Sequence, residues 1–482
     1  MTEIAGATGR LIRLGLFFVV AYFALSALLV YWQVVRAPNL VNRPDDPRLY
    51  AAQLAVHRGA IMDRRGTMVE QTTFVNGTPY RTLYDASLSP LIGYHSQQYD
   101  NTGLEAAYND YLNGAAVQQP IDNIIRRLLH EPVLGDTVQL TIDDRIQQIA
   151  SQALGDGPGV ALVADPRNGE ILAMVSKPTF NASRIDEPGY WASLQNSNGR
   201  LLNRAIDGRY PPGSTFKIVT LATALTNHAA SLSSIFSGEQ ATGPLFIQGT
   251  ILPPDTDNLP PGLSQVTLKD AFKYSDNIVF ALLGEQLGAQ KLLDGAAAFG
   301  VGSAIPFTLP VAPSAVTTDL NDFNEYDIAT SAFGQAQVLV TPLQMLLVDE
   351  AIANNGTIMQ PYVVRKVIAP NGEVLEDDQP KTWRQALTPA VAQQVAQAMI
   401  AVVNEPGGSG YAAQLPGVTV AGKTGTAQLG GNEQPDAWFV SYAPADHPRL
   451  AVVVLKEQAG EGATVAAPIA RQILAEALRL YH

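Results

Sequence analysis

Three short polar motifs lie far apart in this chain, and none of them has a chemical use unless the fold brings all three together. They are Ser214-Thr215-Phe216-Lys217, Ser275-Asp276-Asn277 and Lys423-Thr424-Gly425-Thr426. A serine hydroxyl is a poor nucleophile until a neighbouring base takes its proton. Residues i and i+3 share one face of a helix, so Ser214 and Lys217 can meet within hydrogen-bond reach. Pro211-Pro212-Gly213 cannot continue a helix from upstream and residues 218–229 read as helical, so Ser214 is expected to open that helix. There the unpaired N–H groups and the positive dipole end favour an oxyanion. A charged lysine is no base, but burial and a second cation both disfavour the charge. Lys423 is the obvious second cation, and the expectation is a neutral Lys217.

The other two motifs complement the first. Ser275 can relay a proton between Lys217 and a leaving amine, while the Asn277 amide can hold both the base and a substrate backbone. Lys423 with the hydroxyls of Thr424 and Thr426 suits a carboxylate, which makes Thr424, Gly425 and Thr426 the expected substrate-binding run. Residues 418–421 alternate β-branched side chains and suggest a strand edge along which a peptide can lie as an added strand. The backbone N–H groups of Ser214 and Thr426 would then form the oxyanion hole.

Composition narrows the remaining classes. With 46% apolar and 16% charged residues, the chain has no disordered character, and a net charge of −13 argues against nucleic acid as a partner. The absence of cysteine excludes disulfides and thiolate metal sites, and six scattered histidines leave no metal motif. Residues 14–35 carry no charge and span roughly 33 Å as a helix, enough for a bilayer core of about 30 Å. Tyr31 and Trp32 suit an interfacial belt. Because the apolar run continues past the Ala24-x-Ser26 cleavage pattern, an uncleaved anchor is expected rather than a signal peptide. Arginines flank the run on both sides, so charge does not set its orientation.

Downstream, residues 37–46 read as a linker, and residues up to 134 mix short strands with helical pieces such as 103–112. A strand at 138–142 is followed by a helix at 143–154 capped by Asp143 and a hairpin of 159–164 with 171–175. Helical patterns dominate 216–300 and 341–353. Strands return at 418–421, 437–442 and 450–455, and an amphipathic helix closes the chain at 467–481. The fold class expected is α+β, an antiparallel sheet with packed helices.

Together the three motifs form the serine acyltransferase set of penicillin-binding proteins and class A β-lactamases. The chain as a whole resembles the class B penicillin-binding proteins, the monofunctional peptidoglycan transpeptidases of bacteria, and within them the actinobacterial type. Arg58-Gly59 with Asp63-Arg64-Arg65-Gly66 resembles the start of that family's non-catalytic domain, and Gly103-Leu104-Glu105 resembles its Gly-Leu-Glu box. Asp165-Pro166 with Gly169-Glu170-Ile171-Leu172-Ala173-Met174 resembles the first catalytic hairpin. Gly334-Gln335 and Val340-Thr341-Pro342-Leu343-Gln344-Met345 resemble the segment before the third motif.

The resemblance implies a cytoplasmic tail at 1–13, a transmembrane helix at 14–35, a stalk at 36–135 and a penicillin-binding/β-lactamase-like transpeptidase domain at 136–482, outside the membrane. It implies a Ser214 acyl-enzyme that cross-links stem peptides, acylation of the same serine by β-lactams, and catalytic roles for Lys217, Ser275, Asn277 and Lys423. No cofactor or metal is implied. The stalk is too small for a glycosyltransferase domain, so a separate polytopic membrane glycosyltransferase is the implied partner.

Other readings share some of these residues. A class A β-lactamase or β-lactam sensor needs a deacylating glutamate, yet none of the glutamates between Asn277 and Lys423 carries the expected x-x-Leu-Asn sequel. A D-alanyl-D-alanine carboxypeptidase differs only in using water as acceptor, and an idle scaffold would keep the fold without acylation. Gly417 to Thr424 matches the phosphate-loop pattern, but its strand-like interior and the glycines after it argue against nucleotide. Trp438 and Phe439 read as core, Arg200 and Arg204 as scaffold ion pairs, and Glu105 as a helix-start or stalk ion-pair residue. Gln428 is left open as a cleft residue.

Overall fold

Apolar β-branched runs on either side of the turn at 166–169 fold back on each other as β1 (Gly159–Asp165) and β2 (Glu170–Lys177). Three late strands extend this hairpin: β3 (Ala421–Ala427), β4 (Asp436–Ala443) and β5 (Leu450–Lys456). The sheet order is β3-β4-β5-β1-β2 with every pair antiparallel, so β3 forms one edge. Successive side chains of a strand face opposite sides of its sheet, and all residues of β1, β4 and β5 are buried. Both faces of the sheet are therefore covered. This computed structural model describes residues 2–36, 56–75, 78–96, 98–116, 125–126, 129, 131–197, 199–254, 259–260 and 262–481.

The principal helices are α1 (Thr2–Val30), α2 (Asp144–Leu154), α3 (Lys217–Thr226), α4 (Leu268–Tyr274), α5 (Asn277–Ala298), α6 (Pro342–Ala353), α7 (Pro389–Asn404) and α8 (Ala466–Leu480). Their starts follow local chemistry. Asp143 caps α2 by accepting the Arg145 N–H at 3.1 Å, and Thr341 caps α6 by accepting that of Gln344 at 3.1 Å. Proline at the first position of α6 and α7 costs no hydrogen bond there. Helices α2 and α8 pack on each other and on the sheet, while α6 packs against β1, β4 and β5.

Several expected boundaries move. Residues 418–420 precede the strand, which starts at Ala421 and runs through the third motif, because pairing with β4 begins at Tyr442. Helix α3 ends at Thr226 rather than 229, where His228 turns to a left-handed φ of 52°. The span 216–300 is not helical throughout: Ile235–Ser237 pairs with Gln265–Thr267, and Leu245–Ile247 with Thr250–Leu252. Residues 103–112 form two short helices, Gly103–Ala107 and Asn109–Leu112.

A second sheet holds six strands in the order Val374–Asp377, Val364–Ile368, Thr137–Leu140, Ile61–Met62, Met68–Val75 and Thr78–Leu83. The two outermost strands at one side come from late in the chain, so this sheet joins residues on both sides of the division expected at 135/136. Beneath it Glu105, fully buried, pairs with Arg58 and with Arg81, whose Nε lies 2.8 Å away. Burial alone would push the Glu105 carboxyl up, yet the two guanidinium groups hold it well below the carboxylate range. Glu105 is thus a buried ion-pair residue. At the N-terminus, Ile12–Val34 is long and apolar enough to cross a membrane, has a mean hydropathy of 2.3, and no residue of its apolar window is buried in the protein.

Candidate active site

Gly213–Phe216 form a tight 3-10 turn that leads straight into α3. Side chains three residues apart eclipse in such a turn, which sets Ser214 and Lys217 on one line. The turn is fixed from three sides. The Gly213 N–H donates to Gly334 O at 3.0 Å, Tyr210 and Val340 exchange two backbone bonds of 2.9 Å, and Trp438 Nε1 donates to Pro211 O at 3.0 Å. Gly334 has a φ of +79°, and a Cβ there would stand 2.0 Å from Gly213 O, so only glycine fits.

Ser275 sits at the corner where α4 ends and α5 begins. Its φ of 68° and ψ of 35° are left-handed, a conformation that costs a non-glycine residue about 1–3 kcal/mol and recurs at functional sites. Asp276 secures the corner by accepting the Val279 N–H at 2.7 Å as the cap of α5. Asn277 is the first residue of α5.

Both lysines end on this corner, each with no exposed surface. Lys217 Nζ donates to Ser275 O at 2.6 Å and to Asn277 Oδ1 at 2.8 Å, with Ser275 Oγ 3.4 Å away. Lys423 Nζ, arriving from β3, donates to the same Ser275 Oγ at 2.8 Å. The rings of Phe280 and Phe333 flank Lys217, and that of Phe272 flanks Lys423. Burial, and then the charge of Lys217, push the Lys423 ammonium well below the ordinary lysine range. Two like charges around one hydroxyl, away from water, disfavour each other.

The nucleophile turn and the third motif touch through glycines. A Cβ on Gly425 would lie 2.8 Å from Pro212 O, and one on Gly213 would lie 2.8 Å from Thr426 O. That contact sets the backbones of Ser214 and Thr426 on adjoining segments at the sheet edge. All five residues expected to carry the chemistry, and Thr424, Gly425 and Thr426 beside them, therefore come to one place. Among the described residues, no group of three or more His, Asp or Glu gathers as a metal site. Because β3 continues through Lys423 and Thr424, the loop-to-helix geometry of a phosphate cradle is not formed.

The model of the penicillin binding protein transpeptidase domain matches residues 159–475, and that of the penicillin binding protein A dimerisation domain matches residues 58–138. The chain is a penicillin-binding protein. It is 32% identical over 478 residues to the peptidoglycan D,D-transpeptidase PbpA of Mycolicibacterium smegmatis, covering 93% of this chain and 94% of the relative. It is 31% identical over 483 residues to PbpA of Mycobacterium tuberculosis, with the same coverage. The M. tuberculosis penicillin-binding protein A captured as a ceftriaxone acyl-enzyme superposes with a TM-score of 0.82 at 30% identity, covering 88% of this chain and 99% of that one. A D,D-transpeptidase domain from Eggerthella lenta gives 0.78 at 35% identity, with the same coverage.

In this penicillin-binding protein, Trp438 and Phe439 are core residues, and Arg204 is a scaffold residue whose Nε pairs with Glu457 at 2.7 Å. Arg200 and Gln428 are exposed. Two contributors escape a motif search. Trp438 holds the nucleophile turn through its indole as well as filling the core. Ser409 accepts a hydrogen bond from Thr424 Oγ1 at 3.0 Å, although it lies in a glycine-rich loop with no periodic signal.

Proposed function

We propose that this penicillin-binding protein is a membrane-anchored peptidoglycan D,D-transpeptidase with Ser214 as its nucleophile. The observation that carries the reading is the convergence on Ser275 Oγ of Lys423 and of Lys217, which lies one turn after Ser214. Ser214 Oγ attacks the carbonyl carbon of the penultimate D-alanine of a stem peptide, and Lys217 takes its proton. The N–H groups of Ser214 and Thr426 hold the oxygen as it becomes negative. When the C–N bond breaks, the proton passes from Lys217 through Ser275 to the departing amine of the terminal D-alanine. An amine from a second stem then attacks the acyl carbon and loses its proton along the same path, and Ser214 regains its hydrogen as the ester opens.

The terminal carboxylate lies against Lys423, Thr424 and Thr426, with the peptide added along the exposed edge of β3. A carboxylate anion beside Lys423 favours its ammonium form, opposing the burial that depresses it in the free cleft. β-Lactams acylate the same serine. Residues 14–35 anchor the chain in the cell membrane with 1–13 inside and 36–482 outside, the region before 136 serving as a pedestal. A separate polytopic glycosyltransferase supplies glycan strands.

Incubation of residues 36–482 with fluorescent penicillin tests the chemistry. A stable, equimolar adduct is expected, and Ser214→Ala should abolish it; an adduct that persists in that variant would remove Ser214 as nucleophile. A label that turned over within seconds would point to a β-lactamase. Mass analysis of products from a stem pentapeptide with and without an added amine separates transpeptidation from hydrolysis.

A further inference from the structure

The hydroxyl of Thr424 is not left to solvent: it donates to Ser409 Oγ at 3.0 Å and lies 3.5 Å from Lys423 Nζ. Ser409 belongs to the loop 405–410 that follows α7, and this loop is tied to the second motif. The Ser409 N–H donates to Lys273 O at 3.1 Å, two residues before Ser275. At the start of the loop, Glu405 bridges Lys269 at 2.6 Å and Lys273 at 3.2 Å, both on α4. The loop also closes on its own helix. The Gly408 N–H reaches Glu405 O and the Gly410 N–H reaches Val402 O, each at 3.1 Å. A Cβ at Gly408 would stand 2.2 Å from Val402 O. Ser409 is thus held in register with the second motif while its side chain meets the third.

We propose that Ser409 is a positioning residue for the substrate's terminal carboxylate, acting through Thr424. The inference rests on the reading of Thr424 as a ligand of that carboxylate. In the free cleft Thr424 donates to Ser409. A hydroxyl carries one donor and two acceptor sites and rotates to suit its partners. When a carboxylate arrives, the Thr424 proton turns to the anion and Ser409 turns to donate into the Thr424 oxygen. No covalent bond changes. The result is a chain from Ser409 to Thr424 to carboxylate in which each hydrogen bond polarises the next. With alanine at 409, Thr424 loses both its resting acceptor and the donor that supports it in the bound state.

The test compares acylation of residues 36–482 by benzylpenicillin and by its methyl ester, which lacks the anionic oxygen. Ser409→Ala should lower the second-order acylation rate with the acid about tenfold, the worth of one supporting hydrogen bond. It should leave the ester rate within about twofold of wild type on the same scale. Ser409→Thr should restore the acid rate, and Ser409→Ala should add no further loss in a Thr424→Val background. Eventual complete labelling of Ser409→Ala would show an intact nucleophile and fold. Should that variant not fold, Ser409→Cys, with its weaker donor, is read by the same acid-to-ester ratio. Equal losses with acid and ester, or no loss with either, would overturn the proposal. A Thr424→Val variant acylated by the acid at the wild-type rate would instead overturn the carboxylate reading of Thr424, and an adduct in Ser214→Ala would overturn the nucleophile assignment.

Discussion

Lys217 and Lys423 both end on Ser275 with no exposed surface, and on the proposed mechanism the protonation of this pair sets the rate of acylation. Burial and its neighbour's charge depress the Lys423 ammonium. If Lys217 is the base, as proposed, the buried pair must shed one proton before acylation, and the like charge that depresses Lys423 makes that first loss easy, so the second-order rate of acylation should fall at low pH. The acid limb is expected well below the usual lysine range of about 10.4. A stopped-flow profile that rises only near that usual value would show the free cleft to be fully charged. The residue types at these positions were legible in the sequence because each motif is a local chemical requirement. The role of Ser409 was not, since a serine among Gly407, Gly408 and Gly410 gains meaning only from α4 and β3, which approach it from distant parts of the chain.

At the scale of elements, α6 has an unusual feature: all twelve of its residues are buried, including Asp349 and Glu350. Neither carboxyl has a hydrogen-bond partner among the described residues, and burial pushes both far above the carboxylate range. The acidic groups near them, Tyr442 beside Asp349 and Asp165 beside Glu350, offer no compensating charge. Burial therefore favours the neutral form of both in the fold, whereas the unfolded chain ionises them at neutral pH. Their stabilisation is complete below the unfolded value of about 4 and is lost as pH rises toward the folded one, by about 1.4 kcal/mol per pH unit for each group. Denaturant titrations at pH 6 and pH 8 should show stability falling with pH. Asp349→Asn with Glu350→Gln should flatten that slope, and an unchanged slope would show the carboxyls to be ionised in place. The apolar rhythm of α6 was readable from the sequence. The fate of its two acids was not, because water is excluded from them only by elements packed on α6 from elsewhere in the chain.

Across the whole molecule, the six-stranded sheet joins early strands before residue 84 to Thr137–Leu140, Val364–Ile368 and Val374–Asp377 from later in the chain. Residues 36–482 should accordingly unfold in a single calorimetric transition, and two resolved peaks would show the parts to be independent. Glu105→Ala leaves Arg58 and Arg81 buried without their main partner and should cost about 3–5 kcal/mol, measured by denaturant titration. By itself the sequence determined the long apolar N-terminal helix, the hairpin, the closing helix and the eight motif residues that the fold gathers at one place, because hydropathy, turn chemistry and motif residue types are written locally. It set the strand of the third motif a few residues early, since alternation marks a strand but only its partner fixes where pairing begins. The tertiary structure alone decided that two late strands complete the six-stranded sheet, that Gly334 buttresses the turn that holds Ser214, and that one serine hydroxyl collects both lysines. Each of these depends on contacts between segments far apart in the chain, where sequence proximity carries no information about distance.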